Sequence, residues 1–273
     1  MGELRVDRLS KNYPARRGSG LRTGLRVFDD ISFTVGEGEF VSVIGASGCG
    51  KTTVLNLVAG LDMPSGGSIF VDGRAVRGPG LDRGVVFQEF ALFPWLTVAG
   101  NIGFGLRSMG VSTEERRRRV AYFVDLVGLK NFADYYPNRL SGGMRQRVGL
   151  GRALAVDPAV LLMDEPFGAL DAQTRDAMQN ALSEIWLKTR KTVLFITHDI
   201  REAIFLSDRV LVLAGRPSQI ALDLPIDLPR PRSRHDAGFQ KYEQTLELAL
   251  SGGVKFSGNS GCMPESEAPL ESR

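Results

Sequence analysis

The segment Gly45 to Thr52 reads Gly-Ala-Ser-Gly-Cys-Gly-Lys-Thr, which matches the pattern G-x-x-x-x-G-K-T. A strand-like apolar segment, Glu39 to Ile44, precedes it, and Lys51 to Ala59 has the apolar face of a helix. Such a turn directs backbone N–H groups toward an anion at the helix N-terminus. A chance glycine-rich turn is the alternative, and both flanks argue against it. The segment therefore predicts a phosphate-binding loop, with Lys51 facing the β- and γ-phosphates and the Thr52 hydroxyl available to Mg²⁺.

A second apolar segment, Ala159 to Met163, leads directly into Asp164 and Glu165. Ligands of open α/β sheets bind at the carboxyl ends of the strands, so both carboxylates are expected near a site. Because neighbouring strand residues face opposite ways, the two should have different tasks. We predict that Asp164 binds Mg²⁺ and that Glu165 orients and deprotonates an attacking water. A solvated strand end is the alternative, and Pro166 disfavours it.

A third segment, predicted as the start of a helix, begins with Ser141, Gly142 and Gly143. Ser141 is a good N-cap, and the two glycines leave the first-turn N–H groups open. These residues by themselves leave two alternatives, an anion site at a helix N-terminus or an ordinary capped helix. Within the same helix, Gly149 and Gly151 each cost up to about 1 kcal/mol relative to alanine. They predict either close packing or a softened helix.

Alternating strand-like and helix-like segments predict an α/β fold. The first third of the chain carries antiparallel strand signals, and the middle is helical, with single helices at Val98 to Leu106 and Asn131 to Tyr136. We expect an exposed loop at Ala15 to Gly24. A last helix at Ala237 to Leu250 is predicted to precede a disordered polar tail, Gly252 to Arg273.

The bulk composition excludes several classes of protein. The chain has 273 residues, 43% of them hydrophobic, which suits one large domain or one domain with an inserted lobe. Its formal net charge of +3 does not suggest nucleic-acid binding. The basic run Arg116 to Arg119 fits a solvated helix face, and contact with acidic lipid head groups is the alternative. Cys49 and Cys262 form no disulfide framework, and the N-terminus has no signal-peptide core, so we expect a cytosolic protein.

In the order and spacing of its motifs, the chain resembles the ATP-binding cassette (ABC) ATPases from roughly Leu4 to Phe239. The resemblance implies a P-loop NTPase core, a mixed sheet with helices, together with an N-terminal antiparallel β region and an inserted α-helical subdomain. It places the ATPase domain at residues 1–239, with a RecA-like core at 1–88 and 156–239 and the helical subdomain at about 89–155. Residues 240–273 would be a C-terminal helix and a disordered tail. The motifs are the phosphate loop, Gln88, Leu140 to Gly143, Asp164-Glu165, Ala169 to Asp171 and Ile196 to Asp199.

The resemblance also implies ATP and Mg²⁺ as cofactors and a role for each motif. Tyr13 would stack on adenine, with a core tyrosine as the alternative, and Gln88 would bind Mg²⁺ and water and sense a membrane partner. His198 would contact the γ-phosphate, with a packed core histidine as the alternative. Ser141 to Gly143 would bind the γ-phosphate held by the opposite subunit, and Asp171 would line the subunit interface. The predicted catalytic residues are Glu165, His198, Lys51 and Gln88; the metal ligands are Thr52, Gln88 and Asp164; the nucleotide-binding residues are Tyr13, Gly45, Ala46, Ser47, Gly48, Cys49, Gly50, Lys51, Thr52, Thr53, Ser141, Gly142, Gly143 and Asp171.

Four segments resemble the subgroup of ABC ATPases that serves nitrate, sulfonate and taurine importers: Val86 to Thr97, Phe167 to Asp171, Arg216-Pro217 and Leu228 to Arg232. The apolar residues from Phe90 to Trp95 would form a docking surface for a membrane protein, pack between two lobes, or do both.

The predicted function is the ATP-hydrolysing subunit of an importer for a small anion such as nitrate, a sulfonate or taurine. The predicted partners are a second copy of the chain, transmembrane permease subunits and, indirectly, a periplasmic or lipoprotein substrate-binding protein, with no nucleic acid. The predicted location is peripheral, on the cytoplasmic face of the inner membrane. The alternatives are an ABC ATPase of translation or DNA repair, an importer ATPase for another solute, and a non-catalytic nucleotide-binding protein. The lack of a coiled-coil pattern between Lys51 and Ser141 disfavours the first, and the intact motifs disfavour the last.

Overall fold

Ten strands form one sheet in a computed structural model that describes residues 2–14 and 24–251. The predicted exposed loop, except Gly24, and the predicted disordered tail lie outside the described residues. The strands are β1 (Leu4–Tyr13), β2 (Leu25–Val35), β3 (Phe40–Gly45), β4 (Gly66–Val71), β5 (Arg74–Ala75), β6 (Arg83–Val86), β7 (Val160–Asp164), β8 (Thr192–Ile196), β9 (Arg209–Gly215) and β10 (Ser218–Pro225). Their order across the sheet is β5-β4-β1-β2-β10-β9-β3-β8-β7-β6.

The sheet joins a parallel part to an antiparallel part. β6, β7, β8, β3 and β9 run parallel to one another, whereas β1, β2, β4 and β5 pair antiparallel. β10 connects the two parts, since it pairs antiparallel with β9 and parallel with β2. The predicted mixed sheet with an N-terminal antiparallel region is therefore confirmed. The carboxyl ends of β3, β7 and β8 meet at one edge of the parallel part, where ligands of such sheets bind.

The helices flank the sheet and also form a cluster of their own. Helices α2 to α5 pack on one another and fall within the segment predicted as an inserted helical subdomain. Two 3₁₀ turns, Lys130–Phe132 and Pro137–Arg139, lie between α4 and α5. Among residues 2–14 and 24–251, no helix combines the length and the apolarity needed to cross a lipid bilayer. The helices are α1 (Lys51–Ala59), α2 (Val98–Ile102), α3 (Phe104–Ser108), α4 (Thr113–Leu126), α5 (Gly142–Ala155), α6 (Ala172–Thr189), α7 (Ile200–Leu206) and α8 (Ala237–Leu250).

Side chains of the central strands alternate between two apolar layers, one on each face of the sheet. In β3, Phe40 and Ile44 belong to one layer, and Val41 and Val43 belong to the other. Both faces of a parallel strand are covered, which explains why β3 is apolar throughout rather than alternating with polar residues. The first layer also includes buried residues of α2 to α5, so the helical cluster shares its core with the sheet.

The structure corrects three details of the predicted elements. The single helix predicted at Val98 to Leu106 is two short helices, α2 and α3, which meet at Gly103. The helix predicted at Asn131 to Tyr136 is only a 3₁₀ turn. The prediction also lacked β10, in which a bulge between Ile220 and Leu222 interrupts the strand pattern.

Candidate functional site

The predicted phosphate loop joins β3 to α1 at the carboxyl edge of the parallel strands. Gly48 and Gly50 have φ angles of 77° and 94°, a left-handed conformation that glycine adopts at no steric cost. A Cβ on Gly50 would also lie 2.5 Å from Val27 Cγ1. Gly50 is the N-cap of α1 and has no side chain with which to cap it. The first N–H groups of α1 are therefore available to an anion.

The Lys51 ammonium turns back onto the loop. Its Nζ donates hydrogen bonds to the carbonyl oxygens of Gly45 at 2.8 Å and Ala46 at 3.2 Å. A phosphate oxygen would be a stronger, charge-assisted partner for the same ammonium. Cys49 points away from the loop's outer surface: it belongs to the apolar layer that also contains α1, and it is only 5% exposed.

Two oxygen groups, the Thr52 hydroxyl and the Asp164 carboxylate, meet where α1 begins and β7 ends. Thr52 Oγ1 donates a hydrogen bond to Asp164 Oδ1 at 3.2 Å. Burial raises the pKa of Asp164, and the hydrogen bond from Thr52 partly opposes that rise. A cation beside these oxygens would stabilise the charged carboxylate in this partly buried position.

This pair of oxygens fits Mg²⁺, which takes few protein ligands and completes its shell with water and phosphate oxygens. In the described part of the chain, no group of three or more His, Cys, Asp or Glu residues is arranged to hold a metal by itself. A site built from one hydroxyl, one carboxylate and substrate phosphates agrees with that finding.

Glu165 and His198 form a pair beside the same edge. The Glu165 carboxylate lies 2.9 Å from His198, measured from Oε2 to Nδ1, and its backbone N–H donates to the Ile196 carbonyl at 2.9 Å. Glu165 has a φ of 42°, an uncommon conformation for a residue with a side chain and one that is often found at functional sites. The His198 side chain is 64% exposed, which excludes the alternative of a packed core histidine.

Gln88 lies near this pair, just beyond the end of β6. A Cβ on Gly168 would lie 3.4 Å from Gln88 Nε2 and 3.9 Å from Glu165 Oε2. The amide and the Glu165 carboxylate therefore border the same small space.

A cavity of about 740 Å³ brings most of these groups together. It has the volume of a site for a small ligand. Arg26 and Arg216 also line it, and the sequence motifs did not identify either of them as a ligand contact. The lining residues are Tyr13, Leu25, Arg26, Val27, Ser47, Gly48, Gly50, Lys51, Thr52, Thr53, Glu165, His198, Arg216 and Ser218.

Tyr13 borders this cavity and is held by two residues that sequence reasoning missed. Its hydroxyl donates to Asp62 Oδ2 at 2.8 Å, and Lys11 Nζ donates to Asp62 Oδ1 at 2.7 Å. The Lys11 ammonium also lies 4.7 Å from the centre of the Tyr13 ring. Burial raises the pKa of the Tyr13 hydroxyl, and the hydrogen bond to Asp62 adds to that rise. Tyr13 is 37% exposed, so the alternative of a core tyrosine is wrong.

The predicted residues of the third segment do not line this cavity. Ser141 caps α5, with its Oγ accepting a hydrogen bond from the Met144 N–H at 3.3 Å. Asp171 caps α6 in the same way, and its bonds from the Thr174 N–H and hydroxyl lower the pKa of its carboxyl. A Cβ on Gly143 would lie 2.7 Å from Thr174 Cγ2, so the two helix starts pack against each other. They form a second cluster, apart from the phosphate loop.

The segment from Phe90 to Trp95 is partly packed and partly exposed. Phe90 packs against the core layer and lies 5.1 Å from the Arg145 guanidinium. Phe93 stacks on Phe104 with ring centres 4.2 Å apart, whereas Trp95 is 69% exposed. The buried Asn101 amide donates to three carbonyls of this stretch, at Phe93, Leu96 and Thr97. The segment is thus a firmly held loop that presents an aromatic ring to solvent.

Two arginines of the segment Leu228 to Arg232 bind the end of α7. Arg230 donates to the Leu206 carbonyl at 2.7 Å, and Arg232 donates to the carbonyls of Ile204 and Ser207. Burial lowers the pKa of Arg232 to about 10. These bonds satisfy carbonyls that the last turn of a helix leaves without partners.

The chain matches the family model described as ABC transporter over residues 28–168. It is 46% identical over 258 residues to the nitrate import ATP-binding protein NrtD of Synechocystis sp., covering 91% of this chain and 95% of that protein. It is 51% identical over 227 residues to the taurine import ATP-binding protein TauB of Rhizobium johnstonii, covering 83% and 85%. It is also 49% identical over 244 residues to the uncharacterized ABC transporter ATP-binding protein MJ0412 of Methanocaldococcus jannaschii, covering 89% and 90%.

Solved structures support the same relationship. The dimeric structure of the ATP-binding cassette MJ0796 bound to ADP and Pi, in a post-hydrolysis state, superposes with a TM-score of 0.69 at 30% identity. The match covers 83% of this chain and 100% of that one. Another dimeric structure of MJ0796, a bacterial ABC transporter cassette, gives a TM-score of 0.70 at 31% identity.

Proposed function

Because this chain belongs to the ABC transporter family, we propose that it is the ATP-hydrolysing subunit of an importer for a small anion such as nitrate, a sulfonate or taurine. The observation that carries this proposal is the site itself. A phosphate loop, an acidic strand end and an exposed histidine converge on one cavity in a chain about half identical to nitrate and taurine import subunits. The names of those relatives support the solute class.

The proposed domain division follows the predicted boundaries. The RecA-like core would comprise residues 1–88 and 156–239, the helical subdomain about 89–155, and the C-terminal extension 240–273. Packing of α2 to α5 on one another supports the two proposed boundaries of the helical subdomain, at about residues 89 and 155.

The proposed nucleotide site places the phosphates on the loop and the base on Tyr13. Backbone N–H groups from Gly45 to Thr53 would surround the phosphates, and Lys51 would move from the loop carbonyls to the β- and γ-phosphates. The adenine would stack on the ring of Tyr13. Ser141, Gly142, Gly143 and Asp171 would act in the other subunit's site, since they lie outside this chain's own cavity.

Hydrolysis would proceed by in-line attack of water on the γ-phosphorus. Glu165 accepts the proton of the attacking water as the new P–O bond forms. The bond from the γ-phosphorus to the bridging oxygen breaks, and its electron pair leaves with ADP. Lys51 and His198 stabilise the charge that develops on the γ-phosphate oxygens. Mg²⁺ held by Thr52, Asp164 and Gln88 would supply neutralising charge at the phosphates.

The proposed partners follow from the incomplete nucleotide site of a single chain, whose cavity lacks Ser141, Gly142, Gly143 and Asp171. Two copies would bind two ATP molecules head to tail, a proposal that the dimeric form of the similar cassettes supports. Closure and opening of this dimer would drive a transmembrane permease, with Gln88 and the segment Phe90 to Trp95 as the contact to it. A periplasmic or lipoprotein substrate-binding protein would deliver the solute. The subunit would therefore act at the cytoplasmic face of the inner membrane.

Replacing Glu165→Gln tests the proposed base. The variant should bind ATP, accumulate as an ATP-bound dimer and lose at least roughly 100-fold in turnover, because the amide cannot accept the proton. Phosphate release and size-exclusion chromatography with ATP measure these effects. Glu184→Gln on α6, which is exposed and removes the same charge, is the control and should hydrolyse ATP normally. Normal hydrolysis by Glu165→Gln would overturn the base assignment.

The transport role needs a separate experiment. The subunit should copurify with a membrane permease and stimulate uptake of nitrate, a sulfonate or taurine in vesicles that also contain the binding protein. Copurification with ribosomes or DNA would instead favour the non-transport alternative, and uptake of an unrelated solute would correct the solute class alone.

A further inference from the structure

The residues on both sides of His198 are tied to one buried carboxylate, Glu202 on the first turn of α7. The Thr197 hydroxyl donates to Glu202 Oε2 and accepts a hydrogen bond from the Asp199 N–H at 3.0 Å. The Glu202 N–H in turn donates to Asp199 Oδ1 at 3.1 Å. The backbone that carries His198 is therefore fixed before and after the histidine by the same group.

The other oxygen of Glu202 connects to α6. Gln179 Nε2 donates to Glu202 Oε1 at 2.8 Å, and Gln179 Oε1 accepts a hydrogen bond from Arg234. Arg234 also pairs with Asp176 at 3.3 Å. We call Thr197, Asp199, Glu202, Gln179 and Arg234 the Glu202 network.

This network links two segments that the proposed function places at the subunit interface. α6 begins at its N-cap, Asp171, and Gln179 lies two turns farther along the same helix. Through Gln179 and Glu202, that helix is hydrogen-bonded to the loop that carries His198. The position of α6 and the position of the histidine are thus coupled by direct contacts.

Burying this network costs desolvation energy. Glu202 and Gln179 are only 4% and 3% exposed, and burial raises the pKa of Glu202 against the opposing effect of its hydrogen bonds from Thr197 and Gln179. An apolar side chain would fill the same space without that cost. A satisfied buried network does, however, hold its members in one arrangement.

The histidine itself has few contacts to fix its direction. Its side chain is 64% exposed, and it forms a hydrogen bond with Glu165. We infer that Glu202 is a positioning residue. Through the Thr197 hydroxyl, which also accepts the Asp199 N–H, it holds the backbone of His198 so that the imidazole meets the γ-phosphate. Through Gln179 it fixes the position of that backbone relative to α6. This inference rests on the proposed role of His198 in ATP hydrolysis.

Replacing Thr197→Val tests the inference, because valine keeps the shape of threonine and removes the hydroxyl that joins Glu202 to the loop. We expect kcat for ATP to fall about ten-fold or more while KM changes little, as misplacement of a catalytic group affects turnover more than ground-state binding. Thr197→Ser restores the hydroxyl and should retain most of the turnover. Gln179→Met, which acts on the network from α6, should lower kcat in the same direction and serves if Thr197→Val does not fold.

Thr192→Val is the matched control. Thr192 is at the start of β8, is 2% exposed and accepts a hydrogen bond from the Gly38 N–H at 2.9 Å. Its replacement should lower the unfolding temperature about as much as Thr197→Val, yet leave kcat unchanged. An equal loss of kcat in both variants would mean that Thr197 acts through general stability, and the inference would be wrong.

A double-mutant cycle with His198→Ala, measured in single turnovers, decides whether the network acts through the histidine. Thr197→Val should lower turnover in the wild-type background and add no further loss in the His198→Ala background. Equal losses in both backgrounds would overturn the inference while leaving the proposed role of His198 intact. Wild-type turnover in His198→Ala would overturn the role of His198, and the inference with it.

Discussion

At the scale of single residues, the orientation of Tyr13 depends on two partners: Lys11, two positions earlier in β1, and Asp62, which lies 49 positions away in the sequence. Asp62 accepts hydrogen bonds from both the Tyr13 hydroxyl and the Lys11 ammonium, and the ammonium lies against one face of the ring. With one face of the ring taken by Lys11, only the opposite face is open to a stacked base. The bond from Lys11 also lowers the pKa of the Asp62 carboxyl.

Replacing Asp62→Asn should therefore weaken ATP binding without slowing hydrolysis. Loss of the carboxylate frees Lys11 and Tyr13, and we expect KM for ATP to rise roughly three- to ten-fold, the worth of one aromatic contact, with kcat unchanged. Steady-state kinetics measure both constants. Asp72→Asn, which removes the same charge at the turn where Asp72 accepts the Glu3 N–H at 3.0 Å, is the control. A fall in kcat with unchanged KM would contradict this role for Asp62.

At the scale of elements, the two interior glycines of α5 have different reasons to be there. A Cβ on Gly151 would lie 3.0 Å from Ile102 Cδ1 and 3.3 Å from Val127 Cγ1, so this glycine lets α2 and α4 approach the helix closely. A Cβ on Gly149 would meet only the Phe90 carbonyl oxygen at 3.7 Å, an ordinary contact. Close packing, one of the two predicted explanations, thus holds for Gly151 and does not hold for Gly149.

Gly149→Ala should stabilise the protein and Gly151→Ala should not. Alanine in a helix interior is favoured over glycine by about 1 kcal/mol, and at position 149 nothing opposes that gain. At position 151 the crowded Ile102 and Val127 side chains oppose it, so we expect no gain or a loss. Chemical denaturation measures the free energy of unfolding of both variants. An equal increase in both would show that Gly151 is not needed for packing.

At the scale of the whole molecule, the chain carries two halves of a site that do not meet within it. The phosphate loop, Glu165 and His198 share one cavity, whereas Ser141 and Asp171 cap neighbouring helices outside it. In a dimer of two copies related by a two-fold axis, the phosphate loop of each copy would face Ser141 and Asp171 of the other. The dimer would then contain two identical complete sites, because a symmetric dimer repeats every contact. The proposed activity is accordingly a property of the dimer.

Mixing two inactive variants should restore part of that activity. Lys51→Ala damages the phosphate loop and Ser141→Arg blocks the other half-site, so each variant alone has no intact site. In an equal mixture, half of the dimers would carry one intact composite site, which gives about a quarter of the wild-type turnover if the sites act independently. Phosphate release measures the recovery, and native mass spectrometry confirms that mixed dimers form.

The matched control is a mixture of either single variant with the double variant, which contains no intact composite site and should stay inactive. Mixed dimers without recovered hydrolysis would contradict the proposed head-to-tail arrangement, unless both sites must be intact in every dimer. A dimer covalently linked through an added flexible linker, with one Lys51→Ala half and one Ser141→Arg half, would then be compared with a linked dimer carrying only one of the two changes.

Several features followed from the sequence because they are local. The spacing of Gly45 to Thr52 predicted the loop between a strand and a helix, and Ser141 caps a helix where the sequence predicted it. α1 and α8 have the predicted bounds, since apolar periodicity and flanking residues define them within a few positions. β10 and the break at Gly103 were missed because strand pairing and helix contacts decide them.

The sequence by itself determined the chemistry available to this protein: which groups bind phosphate, which carboxylates end a buried strand and in what order they occur. Only the tertiary structure decided which of these groups share a cavity. Parallel pairing of β3, β7 and β8 brings Lys51, Asp164 and His198 to one edge, whereas Ser141, at the start of α5, does not line the cavity there. The contacts of Tyr13 with Asp62 and of Glu202 with Gln179 also emerged only from the fold, because contacts between distant segments leave no local pattern to read.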